Sequence, residues 1–374
     1  MRIIRLDPSN QRQLRQYIEL PFRLYQRNAL WVPPLVGEVR DQLDPQRHPF
    51  YQHSEAAFFL AYNGEEAVGR LAVLDNANHT RATGQRTAFF YHFESIPDRA
   101  VSRGLFDAAF DWARGRGLET VWGPQGFLAG DGKGLLVDGF EHRPAMGIAY
   151  NYPYYGELVE DAGFGKQVDL ISCYVDRDIS LPERYLQMAE KIRQRGGLRA
   201  VRFRSKAELR AVVDQVVAAY NQSFTEIQGF VPITQGEENA IAARILAVAD
   251  PTLIKVLMRG EEIVGFVLAY PDLSAAVQRC RGQLWPLGWY HLMREARQTQ
   301  WINFNGGGIL PEFRGLGGNA LLYAELYDTL IGRTQFQYGD LVQVQETNTR
   351  MIQELEALRF RPYKRHRIYS RSLV

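Results

Sequence analysis

Residues 306–326 read GGGILPEFRGLGGNALLYAEL. Three glycines lead into Ile309-Leu310-Pro311, Arg314 follows, and then Gly315, Gly317 and Gly318 precede a helical pattern. A Gly-rich turn that opens a helix suits an anion, because unpaired backbone N–H groups and the positive end of the helix dipole point at it. Two nucleotide motifs compete for the stretch. Gly315-x-Gly317-x-x-Ala320 fits the G-x-G-x-x-A pattern, with Asp340 as the acidic residue downstream. That motif needs a strand running straight into its first glycine, whereas Pro311-Glu312-Phe313-Arg314 intervenes here. A Walker loop needs Gly-Lys-Ser/Thr after the glycines, and none follows.

The elements that must position this loop are legible as two similar series. In the first, MRIIRL reads as a strand and 10–26 as a helix. AAFFLAYNGEEAVGRLAVLD reads as a hairpin turning at Asn63-Gly64. Strand TAFFYHFES, an amphipathic helix over 100–117, strand ETVWGPQGF, helix PYYGELVEDAGF and strand KQVDLISCYV complete it. The second series repeats the order from LRAVRFR to YKRHRIYSRSL. Glu65-Glu66-Ala67-Val68-Gly69 matches Glu261-Glu262-Ile263-Val264-Gly265, and Gly163-Phe164 matches Arg359-Phe360, both at a spacing of 196. A shared spacing at both ends predicts a duplicated α/β unit, with a linker near 177–187.

Each unit carries an insertion. Residues 123–147 hold seven glycines and read as a binding loop or lid, or as a bare surface loop. Residues 274–297 read as helical and rich in Trp, Leu and Tyr. They suit a packing surface between domains or subunits, with an acyl-chain or membrane-surface role as the alternative.

The 374-residue chain has ample apolar material, at 46% hydrophobic and 12% aromatic. Its 44 basic and 42 acidic residues argue against broad binding of nucleic acid. The basic stretch 359–371 is expected to be a terminal strand with a solvated charged face. Cys173 and Cys280 lack a metal or disulfide spacing, so no metal is expected. The N-terminus has no signal-peptide pattern and no window reaches 18 apolar residues, so the expectation is a cytoplasmic protein without a transmembrane segment.

The pattern Ile309-x-Pro311-x-x-Arg314-Gly315-x-Gly317, after a strand and opening a helix, resembles the acyl-coenzyme-A loop of the GNAT acetyltransferase superfamily. The order of elements around it agrees, well over 261–373 and in outline over 55–175. Asn151, Leu158 and Gly163-Phe164 resemble the family's second motif, as do Asn348 and the Ala-Leu-Arg-Phe at 357–360. The resemblance implies an α/β fold of two tandem GNAT-like domains, each a mixed twisted sheet flanked by helices. A degenerate domain over 1–180 would lack the loop, and the acyl-CoA domain over 190–374 would carry it. It implies that Ile309, Leu310, Arg314, Gly315, Leu316, Gly317, Gly318, Asn319 and Asn348 hold the donor. Asn319 stands where the family prefers Gly or Ala, and Arg359 replaces the second-motif glycine.

The implied activity is direct transfer of an acetyl group from acetyl-CoA to a small-molecule or peptide amine. A longer acyl-CoA, or a non-catalytic CoA-binding or interaction protein, are the alternatives. A homodimer is also open. Glu346 is the carboxylate best placed by sequence as base, and Asn303 and Asn305 share a strand face that could align substrate or water. Leu355 leaves the family's tyrosine acid position vacant, which turns attention to Tyr363. Glu226 is a further candidate for the acceptor side.

Overall fold

The structure, a computed structural model, describes residues 1–225 and 230–374. The first half comprises β1 (Arg2–Arg5), α1 (Gln11–Leu24), α2 (Val36–Gln42), β2 (Glu55–Asn63), β3 (Glu66–Asp75), α3 (Ala77–Thr83) and β4 (Thr87–Ser95). It continues through α4 (Arg99–Arg114), β5 (Thr120–Gly123), β6 (Leu135–Asp138), α5 (Tyr154–Asp161) and β7 (Gly165–Asp176). The second half comprises α6 (Glu183–Arg195), β8 (Arg199–Arg202), α7 (Lys206–Arg210), α8 (Val213–Ser223), α9 (Gln235–Val248), β9 (Lys255–Arg259) and β10 (Glu262–Pro271). It ends with α10 (Ser274–Arg279), α11 (Gly288–Gln298), β11 (Trp301–Ile309), α12 (Gly318–Ile331), β12 (Tyr338–Gln345), α13 (Thr349–Ala357) and β13 (Arg361–Ser372).

Local chemistry explains the recurring pieces. Gly64 and Gly260 take φ +59° at the tips of the β2–β3 and β9–β10 hairpins, a conformation open to glycine at no steric cost. Asp98 caps α4, whose Val101, Leu105, Phe106, Ala109 and Phe110 form one buried stripe against the sheet. After α5 the chain turns through Gly163 at φ +84°, and after α13 through Arg359 at φ +61°. The arginine thus adopts the left-handed turn of its glycine counterpart, at a steric cost of roughly 1–2 kcal/mol. The 206–224 stretch of the second half forms two helices, α7 and α8.

All strands among the described residues belong to one mixed sheet in the order β1-β2-β3-β4-β5-β13-β7-β12-β11-β10-β9-β8, with β6 paired to β13. β4 runs parallel to β5, and β11 parallel to β12, as the repeat requires. The closing strands are exchanged between the halves. β7 pairs with β12 of the second half, β13 pairs with β5 of the first, and the two exchanged strands lie antiparallel side by side.

The basic strand 361–372 is therefore central, which corrects the expectation of a solvated terminal strand. Lys364 and His366 are buried, and Arg365 and Arg367 engage the buried Asp169. Apolar layers cover the sheet in both halves, around Phe90, Phe106 and Phe164 in one and Leu257, Phe266 and Leu321 in the other. No helix among the described residues is long and apolar enough to cross a membrane.

Candidate functional site

The wedge between β11 and β12 forms because their pairing stops early. It runs from Trp301↔Tyr338 to Phe304↔Leu341 and goes no further. A bulge against β10 falls at Asn305, after which Gly306, Gly307 and Gly308 pair only with Leu268, Val267 and Phe266. Asn305, Gly306 and Gly307 are exposed, so bare backbone faces the opening on the β12 side. β12 has its own register shift, between Leu341 and Val344, with Gln343 held at φ +57°. A residue other than glycine in that region is a strained element of the kind that clusters at working sites.

Beyond Ile309 the chain makes a single 3-10 turn over Pro311–Phe313 and enters the glycines. Gly315 and Gly317 take φ +78° and +84°, and Gly317 caps α12 without any side-chain hydrogen bond. The first N–H groups of α12 have no partner within the helix, so they and the dipole face outward together. A Cβ on Gly317 would sit 2.7 Å from Ile192 Cδ1, and one on Gly318 would sit 2.4 Å from Leu257 Cδ2. Arg314 donates from Nε to the Ile309 carbonyl (3.2 Å) and from Nη2 to the Ser223 carbonyl (2.7 Å). It ties the loop to β11 and α8. Asn319 donates to Glu354 of α13, so its side chain is engaged there instead of capping α12. Asn348 caps α13, accepting from the Met351 N–H at 3.2 Å.

The wedge opens into a cavity of roughly 1930 Å³ that runs across both halves. Asn305, Gly306, Gly307, Gln343 and Asn348 line it from the second half. The Gly-rich insertion 123–147 contributes much of the opposite wall, including Lys133. Its place is fixed by a reciprocal contact: the Lys133 N–H donates to Gln343 Oε1 (3.3 Å), and Gln343 Nε2 donates to the Lys133 carbonyl (2.5 Å). Asp131 accepts from the N–H groups of Phe127 and Leu128 and from Arg244 (2.8 Å), which also pairs with Glu38 (3.3 Å). The insertion is thereby pinned between α2 and α9.

Burial sets the electrostatics of the lining. It lowers the proton affinity of Lys133, opposed only in part by Asp131. It raises that of Glu94, although Arg70 and Tyr155 hold the carboxylate form. Burial also drives His92, at the β4 bulge, well below the ordinary histidine value. Burial raises the pKa of the Tyr270 hydroxyl, opposed in part by the Asn305 side chain.

Of the three catalytic residues suggested by sequence, Asn305 lines the cavity, while Glu346 and Tyr363 do not. Glu346 accepts from Lys166 (2.9 Å) and from the Asp169 N–H (3.0 Å). Burial would raise its pKa, but the Lys166 bond and the backbone bond leave it lowered, a carboxylate committed to holding β12 against β7. Tyr363 is the extra residue of a bulge between Pro362 and Lys364. It packs on His142 and Tyr174, and burial, then Asp340, raises its pKa strongly. Asn303 is buried and donates to Asp272 (3.1 Å), away from its strand neighbour's role. Cys173 is a core thiol, raised to about 11 by burial and then Asp340. Glu226 lies outside the described residues.

Sequence reasoning passed over Lys133, Gln343, Tyr270 and Tyr323 as cavity-lining groups. Lys133 sits inside the glycine cluster that the sequence leaves open between a binding loop or lid and a bare surface loop. The positive φ of Gln343 has no signature in the residue itself.

No family model matches the chain, but individual proteins do. The chain is 31% identical over 284 residues to the bacterial ceramide synthase of Caulobacter vibrioides, covering 75% of this chain and 73% of that protein. It is 25% identical over 370 residues to protein YghO of Escherichia coli, covering 97% and 94%. Among solved structures, a tandem GNAT protein from the clavulanic acid biosynthesis pathway superposes with a TM-score of 0.57 at 14% identity, covering all of this chain and 98% of that one.

Proposed function

The chain belongs to the family of the Caulobacter ceramide synthase and has the fold of tandem GNAT proteins, and from that premise we propose that it moves a long acyl chain from acyl-CoA to the amine of a long-chain amino alcohol. An acyltransferase of this fold takes its acyl group from coenzyme A as the family norm. The cavity favours a long chain over the acetyl group that the sequence placed first. Its roughly 1930 Å³ exceeds the ~300–1,000 Å³ of an ordinary small-molecule pocket, while an acetyl group needs almost none of it. Burying a methylene stabilises the bound state by about 0.8 kcal/mol, so an apolar cavity rewards each added carbon until it is full. A ceramide carries two long chains, and a cavity reaching from the second-half wedge into the first half has room for both.

In this reading the donor pyrophosphate lies at Gly315–Asn319 and the first turn of α12. The pantetheine arm follows Gly306–Ile309 along the unpaired edge of β11. Its thioester carbonyl meets backbone N–H groups at the Asn305–Gly306 bulge, which oppose charge developing on oxygen. The amine nitrogen attacks the carbonyl carbon, the C–S bond breaks, and the proton lost by the amine ends on the departing thiol sulfur. Glu346 and Tyr363 serve the sheet instead.

The test measures thiol release and amide mass with acetyl-, octanoyl- and palmitoyl-CoA against a long-chain amino alcohol dispersed in detergent. We expect kcat/KM to rise roughly tenfold for every two methylenes over the shorter donors. Equal or better turnover of acetyl-CoA, or a preference for short water-soluble amines, would overturn the reading.

A further inference from the structure

The insertion in the second half has an anchored side and a bare side. On the anchored side, Gln278 donates to the carbonyls of Ala29 (2.9 Å) and Trp31 (3.0 Å), and the Val36 N–H donates to the Gly282 carbonyl. A Cβ on Gly282 would meet the Pro34 carbonyl oxygen at 2.1 Å, which shows how closely the segment is seated. The other side has no cover among the described residues. Of the twelve large apolar side chains exposed among those residues, six fall within the ten positions 284–293. Trp285 is 82% exposed and Leu287 65%, with Leu284, Trp289, Tyr290 and Met293 beside them.

The exposed charges of this segment have one sign. Residues 274–298 contain four arginines and one glutamate. That glutamate, Glu295, is turned inward and held by Arg279. Arg281, Arg294 and Arg297 are exposed. Tryptophan, tyrosine and leucine ringed by arginine is the composition of a surface that seats in the interfacial zone of a bilayer with anionic headgroups. Leu284, Trp285, Trp289 and Met293 also line the large cavity, so its mouth opens within the patch.

We propose that the 284–294 surface docks on an anionic lipid bilayer and places the cavity mouth against it, so that long-chain substrates pass between membrane and protein without crossing water. The delivery half of this statement rests on the long-chain reading above; the docking half does not. A second copy of the chain is the weaker occupant, since a two-fold contact through this face would set arginine against arginine.

Co-sedimentation tests the docking. The probes are phosphatidylcholine vesicles with and without about 30 mol % phosphatidylglycerol, and wild type should partition about tenfold more onto the anionic ones, less so at high salt. Tryptophan emission should shift to the blue on binding. Leu287→Glu/Tyr290→Glu alters two exposed residues outside the cavity lining. It should lose most vesicle binding while keeping the wild-type melting temperature and turnover of detergent-dispersed substrates. Docking is overturned by equal partitioning onto both vesicle types, by unchanged binding of the variant, or by a wild-type dimer that the variant dissolves without any vesicle binding. Vesicle binding without formation of a long-chain amide would leave docking standing and remove the substrate reading. Amide formation without vesicle binding would do the reverse.

Discussion

Gly317 joins two constraints in one residue. Its φ of +84° is costly for any residue with a Cβ, by roughly 1–2 kcal/mol, and that Cβ would press on Ile192 and Met188 of α6. The same residue sets the direction of the first N–H groups of α12. Gly317→Ala should weaken coenzyme A binding by about tenfold or more, as measured by calorimetry, because the anion-facing turn must reopen. Gly84 is the control: it has φ +72° and nothing within 4 Å of where a Cβ would stand, so Gly84→Ala should carry the conformational cost alone and leave the affinity unchanged. Equal affinities for wild type and Gly317→Ala would remove the loop from the donor site. Arg359 shows the opposite outcome at the end of α13, where the left-handed turn persists although its glycine has gone.

At the scale of elements, the exchanged strands β7 and β13 are joined by one carboxylate. Asp169 of β7 is fully buried and receives Arg367 (2.8 and 3.1 Å), Arg365 (3.3 Å) and Lys166 (3.0 Å). Burial pulls its pKa up, but the hydrogen bonds from Arg367 and Lys166 prevail and hold it at about 2, against 3.8 for an ordinary aspartate. A depressed folded-state value means that this stabilisation is complete above the unfolded pKa of 3.8 and is lost as pH falls through the folded one. Charge-assisted bonds of this kind contribute about 1.5–3 kcal/mol. Asp169→Asn should therefore lose that much in chemical denaturation at neutral pH, and the gap to wild type should close between pH 3.8 and about 2. A gap independent of pH would show that shape and not charge matters at this position.

The whole molecule is more entangled than two domains in series. Because β7 completes the second half and β13 the first, a chain cut in the 177–182 connection leaves each half holding the other's closing strand. Fragments 1–180 and 181–374 should be poorly folded apart, with the edges of β5 and β12 unpaired, and should assemble into an active complex when coexpressed. Two independently folded, monomeric fragments with cooperative melts would contradict the exchange.

Much of this was legible along the chain. The spacing of 196 between paired landmarks, the two hairpins, and the strand–loop–helix around Arg314 follow from period, turn chemistry and glycine placement, which are local properties. Those local signals carried the fold class and the place of the glycine turn that opens α12. Side-chain partnership is not local. Glu346 and Tyr363 stood at plausible positions in sequence, yet Lys166 claims the first, and a bulge turns the second into the protein beside Asp340. Nor could the strands declare which edge they would close, since β5 and β12 both offer a backbone edge to an antiparallel partner and backbone groups are alike in every residue. The cavity is the plainest case, because its wall joins Lys133 to Gln343 across 210 residues of chain. Sequence by itself determined the units and the loop. Only the tertiary structure decided how the units interlock and how large a space they enclose, because both depend on packing between residues that no local pattern relates.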